Sequence, residues 1–457
     1  MNHMNDSAPK RGGISSACRA FLVVIALALA LSLFALLIVG VLGYIPSAVL
    51  DKDEILERVE DCRDSYTTVK RYLKAYGIGN LRMQKMAEVE KYYDKYYIED
   101  LPSPNTLAEL TAAIFLEDHY DTIDLSDRDA VTDAVISSYV SAIKDNYGYY
   151  RNYEDYSSYL SEMSGSYVGI GVTVQYSYTD KTLTVTDVQK GSPANGAGIL
   201  QGDVIWAVDG ISLSEMEHPD GANLIRGEAG SSLTLTLLRD GNEISVTLVR
   251  AALEEQVVSY SLNDGIGYIR ITRFKKNTSQ QFFEALKYMK NSGAEGIIFD
   301  LRSNPGGYLN AVIDCLSLLV PKGNVVVSYE YKNAEPTVIK STRDGGIDIP
   351  LTVICNSSTA SAAELFCAAI RDWTNSGLLT ARIVGKTTYG KGVMQNTYTL
   401  SDGSALTFTV AYYNPPSGEN YNGVGVIPDV KVDDTADDAQ LATAESELKK
   451  LINANNN

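Results

Sequence analysis

Residues 351–364, LTVICNSSTASAAE, and residues 390–395, GKGVMQ, form the pattern that decides the fold and chemistry of this chain. The largely apolar run 351–355 predicts a buried strand, and the tight polar run after it leads into a helix that begins near Ser361. The order of strand, turn and helix places a serine hydroxyl at a helix N-terminus. Lys391 follows later, on a segment flanked by glycines. Ser361 is therefore the candidate nucleophile, and Lys391 is the candidate base that takes its proton.

Histidine usage supports a lysine base. The chain has three histidines, His3, His119 and His218, and none lies in the half that contains Ser361. A Ser/His/Asp hydrolase would lack its base, so a Ser/Lys dyad is the natural replacement. The lysine must be neutral, and burial next to apolar groups lowers an amine pKa from its usual value of about 10.4. A strand at 393–400 would put Lys391 and Gln395 on one face, where the amide can hold the amine.

The turns around Ser361 suggest an oxyanion hole. Ser361 and Glu364 have the capping-box spacing, and most serines in such a pattern are only helix caps. Here a crowded strand-to-helix turn exposes the hydroxyl and places the Ala362 N–H at the positive end of a helix. A second donor is expected from Gly306 or Gly307 in the turn 300–307, DLRSNPGG, although this stretch also fits a plain strand-to-helix turn.

Residues 385–392, GKTTYGKG, nearly match a phosphate-binding loop. Gly392 replaces the hydroxyl residue that would hold magnesium, and the residues after it predict a strand instead of a helix. We therefore exclude a nucleotide site at this segment.

Composition argues against several classes of partner and cofactor. A chain of 457 residues suggests roughly three domains. Its net charge of −18 argues against nucleic acid or anionic lipid as the main partner. No cysteine and histidine cluster has zinc spacing, so neither a metal nor another cofactor is expected. Cys315, Cys355 and Cys367 fall in apolar runs and are expected in the core, which argues against a disulfide framework.

Residues 20–45 form an apolar run long enough to cross a membrane of about 30 Å hydrocarbon thickness. Basic residues precede the run and acidic residues follow it, so residues 1–19 are expected in the cytoplasm and the rest outside. The competing interpretation is a cleaved signal peptide, whose apolar core is usually shorter. The sequence thus predicts a single-pass anchor at the cell membrane with an extracytoplasmic body.

Residues 51–165 have a helical pattern with charged faces and many tyrosines, broken by a loop signal at 101–105. A solvated helical spacer is one interpretation. The run 131–143 predicts an amphipathic helix whose apolar face must dock on the next domain or on a second copy of the chain. A homodimer through this helical region is therefore one expectation.

Residues 166–252 change to an alternating, glycine-punctuated pattern that predicts a small β-rich domain. The segments VGIG (168–171), GSPANGAGI (191–199) and GDVIWAVDG (202–210) together resemble a PDZ domain of the kind found in bacterial proteases. Glycines allow consecutive N–H groups to hold a peptide carboxylate while the peptide adds as a strand. The expected carboxylate site consists of Tyr167, Val168, Gly169, Ile170 and Gly171, with Arg226 nearby. Gly169 and Gly171 alone would also fit a bulge, and Arg226 alone a solvated surface residue.

Residues 253–433 alternate strands and helices. Strands are predicted at 266–271 and 296–301 and a helix at 279–289, so this segment is the α/β core, followed by a helical tail at 434–457. The predicted fold class is α+β and multidomain, in the order membrane helix, helical region, PDZ domain and α/β core.

Four stretches carry a resemblance: residues 300–307, 361–364 (SAAE), 390–395, and 412–418 (YYNPPSG) with 425–429 (GVIPD). In this order the chain resembles the carboxy-terminal processing peptidases, also called tail-specific proteases, from about residue 134 to 441. The resemblance implies a core of the ClpP/crotonase type, Ser361 as nucleophile, Lys391 as general base and Gln395 as the residue that positions the lysine. It also implies preference for protein tails that end in small or apolar residues, and regulation by PDZ movement.

The departures from the family pattern are small. The usual Ser-Ala-Ser-Ala-Ser-Glu is Thr-Ala-Ser-Ala-Ala-Glu at 359–364, and an insertion-like stretch at 372–380 lengthens the path from Ser361 to Lys391. Two other functions remain open from the sequence: a non-catalytic PDZ-containing peptide-binding scaffold, and a crotonase-like acyl-CoA enzyme, which uses similar turns for oxyanion binding.

Overall fold

The computed structural model describes residues 82–215, 225–433 and 438–455. The predicted membrane span at 20–45 lies outside these residues. Among the helices that are described, none is both long enough and apolar enough to cross a membrane. The described chain divides into two compact units, one of residues 82–156, 330–336 and 393–412, and one of residues from 157–329, 337–392 and 413–455.

The helices and strands are numbered here in chain order. The α-helices are α1 (Met83–Tyr96), α2 (Pro104–Asp118), α3 (Arg128–Ile143), α4 (Tyr153–Met163), α5 (Pro193–Gly196), α6 (Thr278–Asn291), α7 (Leu309–Leu316), α8 (Ala362–Asn375) and α9 (Ala439–Asn455). The first ten strands are β1 (Tyr149–Arg151), β2 (Ser166–Gly169), β3 (Val172–Ser177), β4 (Thr182–Val188), β5 (Val204–Val208), β6 (Ile211–Ser212), β7 (Ser232–Arg239), β8 (Asn242–Val249), β9 (Ala251–Glu254) and β10 (Val258–Asn263). The later strands are β11 (Ile266–Ile271), β12 (Gly296–Asp300), β13 (Val325–Tyr331), β14 (Thr337–Lys340), β15 (Leu351–Cys355), β16 (Ala381–Gly385), β17 (Val393–Thr399), β18 (Ala405–Asn414) and β19 (Val430–Lys431).

The unit of residues 82–156, 330–336 and 393–412, called the helical unit, has a hydrophobic core of its own. A solvated spacer would have no such core. Helices α1 to α3 pack with strands β17 and β18, which pair antiparallel, and β1 pairs with β18. The Tyr93 and Phe408 rings stack at 4.3 Å between centroids. The loop signal at 101–105 extends too far, because the Ser103 hydroxyl accepts from the Thr106 N–H and Pro104 starts α2.

Helix α3 differs from the amphipathic helix expected at 131–143. Buried residues lie on most of its sides, including Val131, Ile136, Tyr139 and Ile143. The reason is that residues 393–412, far away in sequence, join α1 and α2 around it in the same core. A helix covered from several sides needs no polar face.

The PDZ domain is built on an antiparallel sheet in the order β3-β4-β5-β7-β8, with β6 beside β5. Its core contains Ile170, Val185, Ile205 and Leu235, each 1% exposed or less. The alternating pattern that predicted these strands places apolar side chains on this inner face.

A two-stranded neck, β2 with β9, joins the PDZ domain to the rest of its unit. At its base the Glu255 N–H donates to the Gly165 carbonyl oxygen at 2.8 Å. The Asn277 amide Nδ2 donates to the carbonyl oxygens of both Gly165 and Glu255 at 2.9 Å. The Asn277 side chain thus adds to the backbone pairing that holds the incoming and outgoing chains of the PDZ domain together.

The α/β core is a six-stranded sheet in the order β10-β11-β12-β15-β16-β19. β10 and β11 are antiparallel, and β11 through β19 are parallel to their neighbours. Strands β12 and β15 are buried at every position, as expected for parallel strands covered on both faces. The strands predicted at 266–271 and 351–355 have these bounds, and the helix predicted at 279–289 begins one residue earlier and ends two residues later.

Different helices cover the two faces of this sheet. On one face Ile298, Ile354 and Val384 pack against α9. On the other, Phe299 contacts Phe282 of α6 and Phe366 of α8, with ring centroids at 5.5 and 5.3 Å. The three cysteines expected in the core are buried free thiols, Cys315, Cys355 and Cys367.

Candidate active site

Ser361 occupies a strained turn between β15 and α8. Its backbone has φ 55° and ψ −120°, in the positive-φ region that costs a residue other than glycine about 1–3 kcal/mol. A sharp strand-to-helix turn of this kind projects a nucleophile out of the sheet. The capping box predicted from Ser361 and Glu364 is present.

The turn before Ser361 is locked to the end of β12. The Thr359 hydroxyl donates to the Leu301 carbonyl oxygen at 2.9 Å, and the Ala360 N–H donates to the Asn304 carbonyl oxygen at 2.9 Å. The Asn304 side chain is fully buried and donates in turn to the Ile271 carbonyl oxygen. Adjacent parallel strands thus bring the DLRSNPGG turn against the serine turn.

The predicted oxyanion donors differ in availability. Ala362 is the first residue of α8, where an N–H has no intrahelical acceptor. Gly306 touches this site, because a Cβ built on it would lie 2.8 Å from Ser361 Cβ. Its N–H, however, donates to Asn304 Oδ1 at 2.9 Å, so in this structure it is occupied. Gly307 is exposed and has φ +139°.

Glu364 links the segments of Ser361 and Lys391. Its carboxylate is completely buried, and Oε2 accepts the N–H groups of both Ser361 and Lys391, each at 2.8 Å. Oε1 accepts the Thr388 hydroxyl at 2.5 Å and the Gly390 N–H at 2.6 Å. The two candidate catalytic residues therefore have their backbone nitrogens on one oxygen atom. The sequence identified Glu364 only as a helix cap, and the partners it gathers lie 24 to 27 residues away.

Tyr413 is a site residue that the sequence did not single out. Its hydroxyl donates to the Lys391 carbonyl oxygen at 2.7 Å and lies 3.5 Å from Ser361 Oγ. The side chain is 2% exposed, so these contacts are shielded from solvent. The available signal was its place in the YYNPPSG stretch.

Lys391 is half-buried and lies in the turn before β17, which begins at Val393. The expectation that strand alternation relates Lys391 to Gln395 is therefore too simple, because only Val393 and Gln395 are on the strand. Gly392 is followed by this strand and not by a helix, as expected for a segment that is not a phosphate loop. The insertion-like stretch at 372–380 completes α8 and its connection to β16.

Gln395 lies in the helical unit, directly opposite Thr409 in the β17–β18 ladder. Its Nε2 donates to Thr409 Oγ1 at 3.2 Å and to the Val393 carbonyl oxygen at 3.3 Å.

The expected carboxylate site of the PDZ domain is only partly a loop. Tyr167, Val168 and Gly169 pair with β9, so their backbones belong to the neck, and the loop itself is Ile170 and Gly171. A Cβ on Gly171 would come within 2.2 Å of Ser192 Cβ, so the loop is pressed against the turn that starts α5. The Ala194 N–H also donates to the Ile170 carbonyl oxygen at 2.9 Å.

Arg226 is exposed, and its guanidinium interacts electrostatically with the Tyr167 hydroxyl. Burial is the main cause that raises the pKa of Tyr167, the Glu255 carboxylate adds to it, and the Arg226 guanidinium opposes it. Arg226 therefore lies on the side of the domain where Tyr167 is found.

Comparisons with known proteins agree with this architecture. The family model for peptidase family S41 matches residues 265–432, and the PDZ domain model matches residues 166–249. The carboxy-terminal processing protease CtpA of Bacillus subtilis is 34% identical over 310 residues, which is 67% of this chain and 65% of that protein. The chain belongs to peptidase family S41.

Another relative of this S41 peptidase is a probable CtpA-like serine protease of Staphylococcus haemolyticus, 32% identical over 66% of this chain and 60% of that one. The match thus spans about three fifths to two thirds of the length of these relatives. A putative S41 protease from Bacteroides fragilis has the same fold, with a TM-score of 0.51 at 16% identity over 80% of this chain and 95% of the other. The photosystem II D1 C-terminal processing protease aligns with 76% of this chain and 92% of its own, at 26% identity and a TM-score of 0.45.

Proposed function

We propose that this S41 peptidase is a membrane-anchored, extracytoplasmic serine endopeptidase that cleaves proteins near their C-terminal tails with a Ser/Lys dyad. The observation that carries the proposal is the shared Glu364 oxygen, which holds the Ser361 and Lys391 backbones at 2.8 Å each. Relatives named as carboxy-terminal processing proteases support the substrate class.

In this mechanism Ser361 Oγ attacks the scissile carbonyl carbon, and the neutral Lys391 amine takes the hydroxyl proton. The N–H groups of Ala362 and Gly307 receive the negative charge on the carbonyl oxygen, a contribution typically worth about 10²- to 10³-fold in rate per donor. The lysine then protonates the leaving amine, which leaves an acyl-enzyme at Ser361. Water, deprotonated by the same lysine, hydrolyses this ester.

The PDZ domain supplies the tail selectivity in this proposal. The loop of Ile170 and Gly171 binds the terminal carboxylate while the tail adds as a strand, and Arg226 contributes positive charge on that side. Apolar tail residues are preferred. Residues 20–45 anchor the protein in the cell membrane, and two copies associate through the helical unit.

The test uses the full-length protein and a peptide with an apolar C-terminus. Ser361→Ala and Lys391→Met should each abolish cleavage, because one removes the nucleophile and the other the base. Lys386→Met is the matched control, since this lysine is on the same segment and its side chain is 39% exposed. It should retain cleavage.

The same test separates the competing function. A peptide-binding scaffold would show no turnover in any form, wild type included, while it still bound the peptide. Full proteolysis by Lys391→Met would refute the dyad.

A further inference from the structure

The Tyr413 hydroxyl contacts both of the segments that carry the proposed dyad. Its oxygen lies 2.7 Å from the Lys391 carbonyl oxygen and 3.5 Å from Ser361 Oγ. All three residues belong to the same compact unit. Because a single oxygen atom contacts both groups, it limits how far the serine side chain and the lysine backbone can separate.

A phenol carries one proton, and the two distances decide where that proton goes. A carbonyl oxygen can only accept, and 2.7 Å is a usual length for an O–H···O hydrogen bond, so Tyr413 donates to Lys391. The phenol has no second proton for Ser361 Oγ, which is at a longer distance of 3.5 Å. The serine hydroxyl therefore faces a lone pair of the phenol oxygen. Tyr413 does not occupy the Oγ lone pairs that must attack the substrate.

The backbone of Tyr413 is itself bonded to the lysine segment. Its N–H donates to the Gly392 carbonyl oxygen at 3.2 Å, and its carbonyl oxygen accepts from Asn420 Nδ2 at 3.0 Å. The same Nδ2 also donates to the Gly392 carbonyl oxygen, at 3.0 Å. The Tyr421 ring packs edge-on against the Tyr413 ring, with centroids 6.0 Å apart. These contacts direct the Tyr413 hydroxyl at the site.

Two buried side chains hold the backbone of Lys391 from its two ends. Glu364 Oε2 accepts the Lys391 N–H at 2.8 Å, and Tyr413 donates to the Lys391 carbonyl oxygen at 2.7 Å. The same Glu364 oxygen accepts the Ser361 N–H, and the Tyr413 oxygen contacts Ser361 Oγ. The lysine backbone is therefore referenced to the serine twice, once through its N–H and once through its carbonyl group.

We propose that Tyr413 is a positioning residue of the peptidase reaction, whose hydroxyl holds the Lys391 backbone at the distance from Ser361 Oγ that proton transfer requires. The inference rests on the proposed function, in which Lys391 is the base. Tyr413 transfers no proton in the reaction, because its own proton stays on the bond to the Lys391 carbonyl oxygen. Without the hydroxyl, this carbonyl loses its donor and the turn before β17 moves away from the serine.

The experiment uses Tyr413→Phe in the full-length protein, which removes the hydroxyl and keeps the ring that packs against Tyr421. It should lower kcat for an apolar-ended peptide by about tenfold or more with KM unchanged, because a misplaced catalytic group costs up to about 10²-fold. The rate of Ser361 phosphonylation by a fluorophosphonate should fall by a similar factor, since this reaction uses the same nucleophile and base but no peptide tail. Both rates are divided by the number of sites finally labelled, so that unfolded protein contributes to neither.

Tyr412→Phe is the matched control. It removes the same group from the adjacent residue, whose hydroxyl donates to Glu99 Oε1 at 2.8 Å and not to the dyad segments. It should leave kcat, KM and the phosphonylation rate unchanged. Denaturant unfolding of both variants measures what each hydroxyl contributes to stability. A purely structural role for Tyr413 would lower the unfolding midpoint but leave the rates per labelled site at the wild-type value.

Two results would overturn this inference alone, while Ser361→Ala and Lys391→Met stay inactive. One is a wild-type kcat and phosphonylation rate per labelled site in Tyr413→Phe. The other is a raised KM at wild-type kcat, which would place Tyr413 in substrate binding. Cleavage that persists in Ser361→Ala would instead overturn the proposed function, and this inference with it.

Discussion

At the scale of single residues, the buried Glu364 carboxylate is the most demanding feature of the site. It accepts four donors from three segments: the Ser361 turn, Thr388, and the Gly390–Lys391 backbone. A carboxylate has enough lone pairs for all four, whereas an amide has one acceptor oxygen and two donor hydrogens. The site therefore depends on the residue type and not only on its size.

Glu364→Gln should both destabilise the protein and inactivate it. The amide would face N–H donors, and each buried group left without a partner costs about 1–3 kcal/mol. We expect a lower unfolding midpoint in denaturant and at least a tenfold fall in kcat. Glu284→Gln, on an exposed part of α6, is the control and should change neither. Unchanged kcat in Glu364→Gln would contradict the role given to this carboxylate.

A second residue-scale prediction concerns pH and the PDZ domain. Asp203 is 1% exposed and receives two hydrogen bonds from Arg239 at 2.7 Å. This guanidinium holds the pKa of Asp203 below its usual range, against the effect of burial. Because the folded pKa is the lower one, the pair stabilises the fold above the unfolded pKa of about 3.9 and loses this effect as pH falls through the folded value.

Asp203→Asn should therefore lower the PDZ unfolding temperature at neutral pH but lose its effect in acid. The cost at neutral pH is limited, because the Arg239 side chain is 30% exposed and water screens the pair. Thermal unfolding of both proteins over a pH series measures this. A difference that persists undiminished in strong acid would show that the charge is not responsible.

At the scale of elements, α9 is an integral layer of the core and not an appended tail. It covers Ile298, Ile354 and Val384, and a Cβ on Gly296 would lie 2.9 Å from the Leu448 side chain. The glycine at the start of β12 allows this close approach.

Leu448→Ala should destabilise the peptidase core by about 2–5 kcal/mol, the usual cost of such a truncation in a packed interior. The side chain is fully buried, so the lost contacts come from the sheet and the helix together. Lys449→Ala, one residue later and exposed, is the control. Denaturant unfolding of the two variants should separate them clearly, and equal midpoints would contradict the packing described for α9.

The bounds of single helices and strands were more predictable from the sequence than the distant segments that pack against them. The strands at 266–271 and 351–355 have the predicted bounds, because a short apolar run between turn residues specifies a buried strand locally. The burial of α3 was not predictable in this way, since the residues that cover it lie some 260 positions later. The same limit applies to the site: Ser361 and the capping box are local patterns, whereas Tyr413 and Thr388 reach the site through contacts between distant segments.

At the scale of the whole molecule, the neck makes the PDZ domain separable. The incoming chain at Gly165 and the outgoing chain at Glu255 are hydrogen-bonded at 2.8 Å, so residues 166–254 can be replaced by a short glycine-serine linker. The peptidase sheet does not depend on them, since its strands begin at Val258. This permits a direct test of what the PDZ domain contributes.

The deletion protein should fold and cleave loose peptides, but it should no longer distinguish a free C-terminus from an amidated one. The wild type should prefer the free acid, because the proposed PDZ loop binds a carboxylate. The ratio of kcat/KM for the two peptides measures the preference. A folded deletion protein that still prefers the free acid would contradict the role proposed for the PDZ loop.

The backbone of Ser361 also bears on how such genes diverge. Only glycine adopts such a positive φ without strain. The active enzyme is therefore destabilised by the backbone conformation of its nucleophile. A duplicated copy released from selection for proteolysis would fold more stably with glycine at position 361. Pseudoenzymes descended from this protein should accumulate that exchange in preference to alanine, and their heat tolerance should exceed that of the active parent.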